Sequence, residues 1–140
     1  MTSSLNFNSI IIGSSDPKKL IAFYKKVLGE KVEWGEEEWA GWQVGSGHLI
    51  IGPHDKVRGK SKEPERILLN FETKNLKEEF ARIKELGAKV VAEPYRPEQE
   101  QGMTIATFAD PDGNYCQLMT PMNGEPPRDL INTLRDSGRR

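Results

Sequence analysis

"LGEKV" at residues 28–32 returns as "LGAKV" at residues 86–90, 58 positions further on. The surroundings of each copy repeat as well. The first closes "DPKKLIAFYKKVLGEKV" (16–32), in which Leu20, Ile21, Tyr24, Val27 and Leu28 fall at spacings of one, three and four. That spacing places them on one face of a helix. Ser15-Asp16-Pro17 supplies a capping side chain and a first-turn proline, and Gly29 supplies the stop. Ahead of the second copy, Asn75 is a candidate cap. It opens a helix over Leu76–Leu86 that buries Leu76, Phe80, Ile83 and Leu86, with Gly87 as its end.

Strand patterns surround both helices. Phe7–Ile12 is apolar and β-branched, and Lys31–Trp34, Ala40–Val44 and His48–Ile51 follow the first helix. Gly45-Ser46-Gly47 turns the last two into a hairpin. In the second half, Ile67–Glu72 precedes the helix, and Ala88–Ala92, Thr104–Phe108 and Tyr115–Met119 follow it. "FADPDGNYCQLMTP" (108–121) reads as strand, tight turn through Asp110-Pro111-Asp112-Gly113, and strand. Each half is thus strand–helix–strand–strand–strand. One helix covers one face of a four-stranded sheet, so pairing two halves is the economical way to bury the rest.

The expected fold class is α+β, built from two paired βαβββ modules. One domain is expected over residues 5–121, with modules at 5–55 and 66–121 and a polar linker at 56–65. Pro94–Gly102 reads as a polar loop. Residues 122–140 read as a tail in which Leu130, Ile131 and Leu134 suggest a short docked helix.

Composition sets the outer limits. With 140 residues, 36% hydrophobic and 29% charged, the chain reads as globular and soluble. A net charge of −1 gives no pull toward nucleic acid or acidic lipid. The charge runs Glu36–Glu38 and Lys56–Lys62 oppose each other in sign and read as solvated loops. A single cysteine, Cys116, excludes an intrachain disulfide and a multi-cysteine zinc site, and its strand position suits a small buried hydrophobe. No apolar run approaches the roughly 20 residues that span a bilayer, and no secretory pattern opens the chain. A cytoplasmic location is the expectation.

Together, the Phe23-Tyr24…Leu28-Gly29 pair, the Asp110–Asn114 turn and the duplicated halves resemble the vicinal oxygen chelate superfamily. That superfamily includes glyoxalase I, extradiol dioxygenases, methylmalonyl-CoA epimerase and the bleomycin-resistance proteins, and the resemblance implies that the two modules form an open, cleft-bearing, barrel-like sheet. Its metal-using members hold a divalent ion between the halves, commonly through a histidine on the first strand and a glutamate on the last strand of each half. The resemblance carries those positions onto Ser9, Ile50, Leu68 and Gln117. Two have no donor atom, one is a protonated hydroxyl and one a neutral amide, so no metal and no other cofactor is expected. A one-residue slip to Asn8, Ile51 or Leu69 would not restore the set.

The metal-free branch holds drugs in aromatic clefts between subunits. The resemblance therefore implies a small-molecule ligand and a homodimer. Trp34, Trp39 and Trp42 lie within nine residues on strands expected to line the first concavity. They serve either as core or as a platform for a flat or cationic molecule. His48, Asn70, Tyr115 and Gln117 complete the expected ligand-binding set, Asn70 and Gln117 as neutral donors and acceptors that orient a ligand. His54, after Pro53, reads as a surface residue.

Two other functions stay open. One is a metal-dependent glyoxalase-, dioxygenase- or epimerase-like enzyme, whose acid–base candidates would be His48, Tyr24, Tyr115 and Cys116. No pair of these is spaced like a nucleophile and its base. The other is a protein-interaction or regulatory module, marked by an exposed apolar patch.

Overall fold

The computed structural model describes residues 3–97 and 103–121. Its first helix, α1 (Pro17–Leu28), begins at the proline, and the Asp16 carboxylate accepts the Lys19 backbone N–H at 3.3 Å. Lys25 and Lys26 in the last turn oppose the negative end of the helix dipole. Leu20, Ile21, Tyr24 and Val27 are buried as their spacing requires, whereas Leu28 is half-buried.

Beneath α1 lies a sheet of β1 (Ser9–Ser14), β2 (Trp34–Glu36), β3 (Trp39–Val44) and β4 (Gly47–Pro53), in the order β1-β4-β3-β2. β1 and β4 run parallel, and the other pairs are antiparallel. α1 packs against β1, β3 and β4. Side chains alternate across a strand, so Ala40, Trp42, Leu49 and Ile51 meet the helix and are buried.

β2 differs from the sequence expectation. It begins at Trp34 instead of ending there, and Glu36 of the acidic run is one of its residues. Pairing explains the shift: Trp34 faces Gly41, Gly35 faces Ala40 and Glu36 faces Trp39. An adjacent strand supplies hydrogen-bond partners that override the poor strand preference of Gly and Glu. Glu37 at the tip takes a left-handed φ of +53° to close the hairpin.

The second unit repeats the plan. β5 (Leu68–Glu72), α2 (Leu76–Glu85), β6 (Lys89–Tyr95), β7 (Ile105–Ala109) and β8 (Tyr115–Met119) give a sheet in the order β5-β8-β7-β6. Leu76, Phe80 and Ile83 of α2 are buried, while Ala106, Phe108, Cys116 and Leu118 form the core of the sheet. Leu86 was expected in that core but is 39% exposed, because it stands beyond the last helical residue, where the chain turns away through Gly87 at φ +92°. Asn75 occupies the cap position without a side-chain bond. The Thr73 hydroxyl accepts the Asn75 N–H instead, at 3.1 Å.

β6 runs through Pro94 and Tyr95, which the sequence assigned to a loop. It is an edge strand with two register shifts against β7, and an edge tolerates the missing N–H of proline. The remainder of that loop from residue 98 to residue 102, and the tail at 122–140 with Leu130, Ile131 and Leu134, lie outside the described residues.

The turn between β7 and β8 is held by one buried carboxylate. Asp110 accepts the backbone N–H groups of Asp112 and Asn114 at 2.9 Å each and the Asn114 side-chain amide at 3.0 Å. The chain divides into two compact units between Ser61 and Lys62. Each is a βαβββ module with an open sheet, and the class is α+β. Among the described residues, no helix is long and apolar enough to cross a membrane.

Candidate functional site

In the first unit, the sheet face opposite α1 is built from three cross-strand rows. Register sets Glu36, Trp39, Gly52 and Gly13 in one row, Trp34, Gly41, Ile50 and Ile11 in the next, and Gln43, His48 and Ser9 in the third. Ile11 is 63% exposed, and Trp34 and Trp39 are 44% and 38% exposed. For side chains this large and apolar, that exposure is substantial.

Both indoles lie on glycine. A Cβ added at Gly52 would fall 2.2–2.4 Å from three adjacent atoms of the Trp39 six-membered ring. One added at Gly41 would fall 2.6 Å from the indole nitrogen of Trp34 and 2.7 Å from its neighbouring ring carbon. A glycine inside a strand weakens the strand unless something approaches its backbone closely. Here an indole occupies the space where a side chain would stand, and both glycines are buried beneath. The rings consequently lie along the sheet instead of standing up from it.

Trp42 does not belong to this surface. It is 3% exposed on the helix side, its indole N–H donates to the Gly29 carbonyl at 3.3 Å, and its ring sits 6.4 Å from that of Tyr24. The physical reason is parity. Trp39 and Trp42 are three residues apart on β3, so they point to opposite faces. The expected ligand-binding role of Trp42 is replaced by a core role.

Negative charge gathers beside the indoles. Glu36 shares the row of Trp39, and Glu37 and Glu38 form the adjoining hairpin turn. The Glu33 carboxylate lies 3.5 Å from Nε2 of His48, so His48 has an acidic neighbour that sequence spacing did not reveal. Glu33 is placed by a backbone bond from its N–H to the Gly41 carbonyl at 2.8 Å. His54 is exposed in the loop after β4.

In the second unit, the face opposite α2 carries Leu68 beside Tyr115, and then Asn70, Gln117 and Thr107 in register. The Gln117 amide donates to the Thr107 hydroxyl at 3.3 Å, which fixes its side chain along the row. Asn70 is exposed and Tyr115 half-buried. Met103, Ile105 and Met119 form an apolar cluster on this unit. Tyr24 and Cys116 are buried in the two separate cores.

A family model of the glyoxalase-like domain matches residues 9–119. The chain belongs to the glyoxalase-like domain family. Solved structures share the fold. A glyoxalase/bleomycin resistance protein/dioxygenase family enzyme from Burkholderia phytofirmans PsJN aligns with a TM-score of 0.63 at 17% identity, over 84% of this chain and 100% of its own. A glyoxalase-related enzyme from Fulvimarina pelagi aligns at 0.65 and 16% identity, over 87% and 95%. An integron cassette protein from V. Cholerae aligns at 0.65 and 21%, over 87% and 99%. No curated protein matches the chain.

In this glyoxalase-like chain, Ser9 and Ile50 lie on the open face of the first sheet, and Leu68 and Gln117 on that of the second. The neighbours Ile51 and Leu69 point to the helix sides. Among the described residues, no three His, Cys, Asp or Glu side chains come together as a metal-binding group.

Proposed function

We propose that this glyoxalase-like protein binds a planar, cationic small molecule by stacking it on Trp34 and Trp39, without a metal ion. The observation that carries this is the seating of both indoles on Gly41 and Gly52, which turns π surface outward beside Glu36. An aromatic face attracts a cation through its quadrupole, by about 0.5–1 kcal/mol at an exposed site. Ile50 and Ile11 extend the apolar surface next to Trp34. Taken by itself, the open face of the second unit presents Asn70, Tyr115 and Gln117, which are neutral hydrogen-bonding groups. His48 contributes an imidazole next to Glu33.

The donor set supports the metal-free reading. A hydroxyl, two alkyl groups and an amide stand where the family's imidazoles and carboxylates would be, and such donors leave a dication's charge uncompensated. No reaction step is therefore assigned through a metal. Resistance-type members of the family bind drugs in aromatic clefts, and binding without turnover is the corresponding role here, in a cytoplasmic homodimer.

The test is calorimetric titration of EDTA-treated protein with a planar cation. Binding with an affinity unchanged by added zinc, nickel or manganese is the expected result. Binding that appears only with metal would favour a metalloenzyme instead. Sedimentation velocity should give twice the 15.8 kDa chain mass, and a monomer at micromolar concentration would remove the homodimer.

A further inference from the structure

Gly41 and Gly52 do more than make room. Each stands across from its tryptophan, Trp34 against Gly41 and Trp39 against Gly52, so each ring leans by one strand in the same direction. The two seats are offset by one strand spacing sideways and two residues along the strand. Strand geometry converts that offset to about 8 Å. Rings carried on these seats lie side by side as tiles of a floor, too far apart to stack on each other at the usual 4.5–7 Å.

The spacing has a consequence for ligand size. A single six-membered ring covers one indole and leaves the other in water. Contact with both requires a rigid planar system about 8 Å long, which is the length of about three fused rings. The floor's charge also has a sign. Glu36 is in register with Trp39, Glu37 and Glu38 follow in the turn, and Glu33 stands beside His48. The open-face rows contain no lysine or arginine to offset these carboxylates. The imidazoles near them are His48, in the third row, and His54, which packs over Gly13 at the end of the Trp39 row.

We infer that Gly41 and Gly52 are specificity-determining positions that tune the first sheet for a polycyclic planar cation, roughly the size of a three-ring acridinium, bridging Trp34 and Trp39. This rests on the stacking reading above and goes beyond it, because the glycine seats set the ligand's footprint. A methyl group at Gly52 would enter the Trp39 ring, tilt that indole upward and break the floor into two unequal surfaces. Glycine is therefore required at both positions for the bridging contact, although alanine would suit either strand better on propensity alone.

The experiment is a ring-size series on the unmodified protein: N-methylpyridinium, N-methylquinolinium and N-methylacridinium, titrated calorimetrically. Affinity is expected to rise with ring count, and the three-ring cation should bind roughly tenfold more tightly than the two-ring cation as the second indole is engaged. Gly52→Ala and Gly41→Ala should each lower three-ring affinity roughly tenfold, a larger loss than either causes for the one-ring cation. Equal affinity for one- and three-ring cations would overturn the footprint while leaving the stacking proposal in place. Failure of all three cations to bind would overturn both. The series needs no variant, so its outcome does not depend on whether the alanine proteins fold.

Discussion

Trp42→Ala destabilises the fold by about 3–5 kcal/mol, the range for removing a buried aromatic side chain and leaving its cavity. Trp42 is 3% exposed between the sheet and α1, next to Tyr24. The substitution also strips the Gly29 carbonyl of the indole donor at the end of α1. Chemical denaturation monitored by circular dichroism would measure the loss. Trp42→Phe keeps most of the volume and should recover more than half of it, since volume-conserving exchanges usually cost less than about 1.5 kcal/mol. A change below about 1 kcal/mol for the alanine variant would show that Trp42 is not the core residue its burial indicates.

The double variant Trp34→Ala/Trp39→Ala should act mainly on binding. Both rings stand on an open face and are only a little more than half buried, so each removal costs less folding energy than that of Trp42, about 2 kcal/mol from the area covered. Planar-cation affinity should fall about 100-fold, because two aromatic contacts worth roughly a factor of ten each are lost together. Calorimetry gives the affinity and a melting curve controls for folding. If the double variant bound the three-ring cation as well as the unmodified protein, the open face of the first sheet would not be the binding surface. The two experiments together separate tryptophans that sit within nine residues in the chain and serve unrelated purposes.

Much of the fold could be read in advance, because it is encoded locally. The cap at Asp16, the spacing of Leu20, Ile21, Tyr24 and Val27, and the Asp110–Asn114 turn each act within a few residues, and the structure keeps all three. Where the sequence misplaced an element, a partner strand had decided it. Residues 34–36 are strand because β3 lies alongside, and Pro94 is tolerated because β6 has a neighbour on one side only. Neither fact has a local signature.

The candidate site divides the same way. That Trp39 and Trp42 face apart follows from counting along one strand, since an odd spacing always reverses the face. Which of them faces the helix does not, and neither does the offset between β2, β3 and β4 that brings Trp34 over Gly41 and Trp39 over Gly52. Gly41 lies inside the expected strand Ala40–Val44 and Gly52 one residue past the expected strand His48–Ile51, so a close approach to either backbone had no local signature. What approached them could not be named without the register. The approach of Glu33 to His48 likewise spans 15 residues and depends on the backbone bond to Gly41.

On its own, the sequence settled the duplicated βαβββ plan and the two helices, because residue identity and short-range periodicity suffice for these. Tertiary structure alone decided which tryptophans are buried and which are presented on glycine. Strand register is a long-range property, and a shift of one residue would send every side chain to the other face.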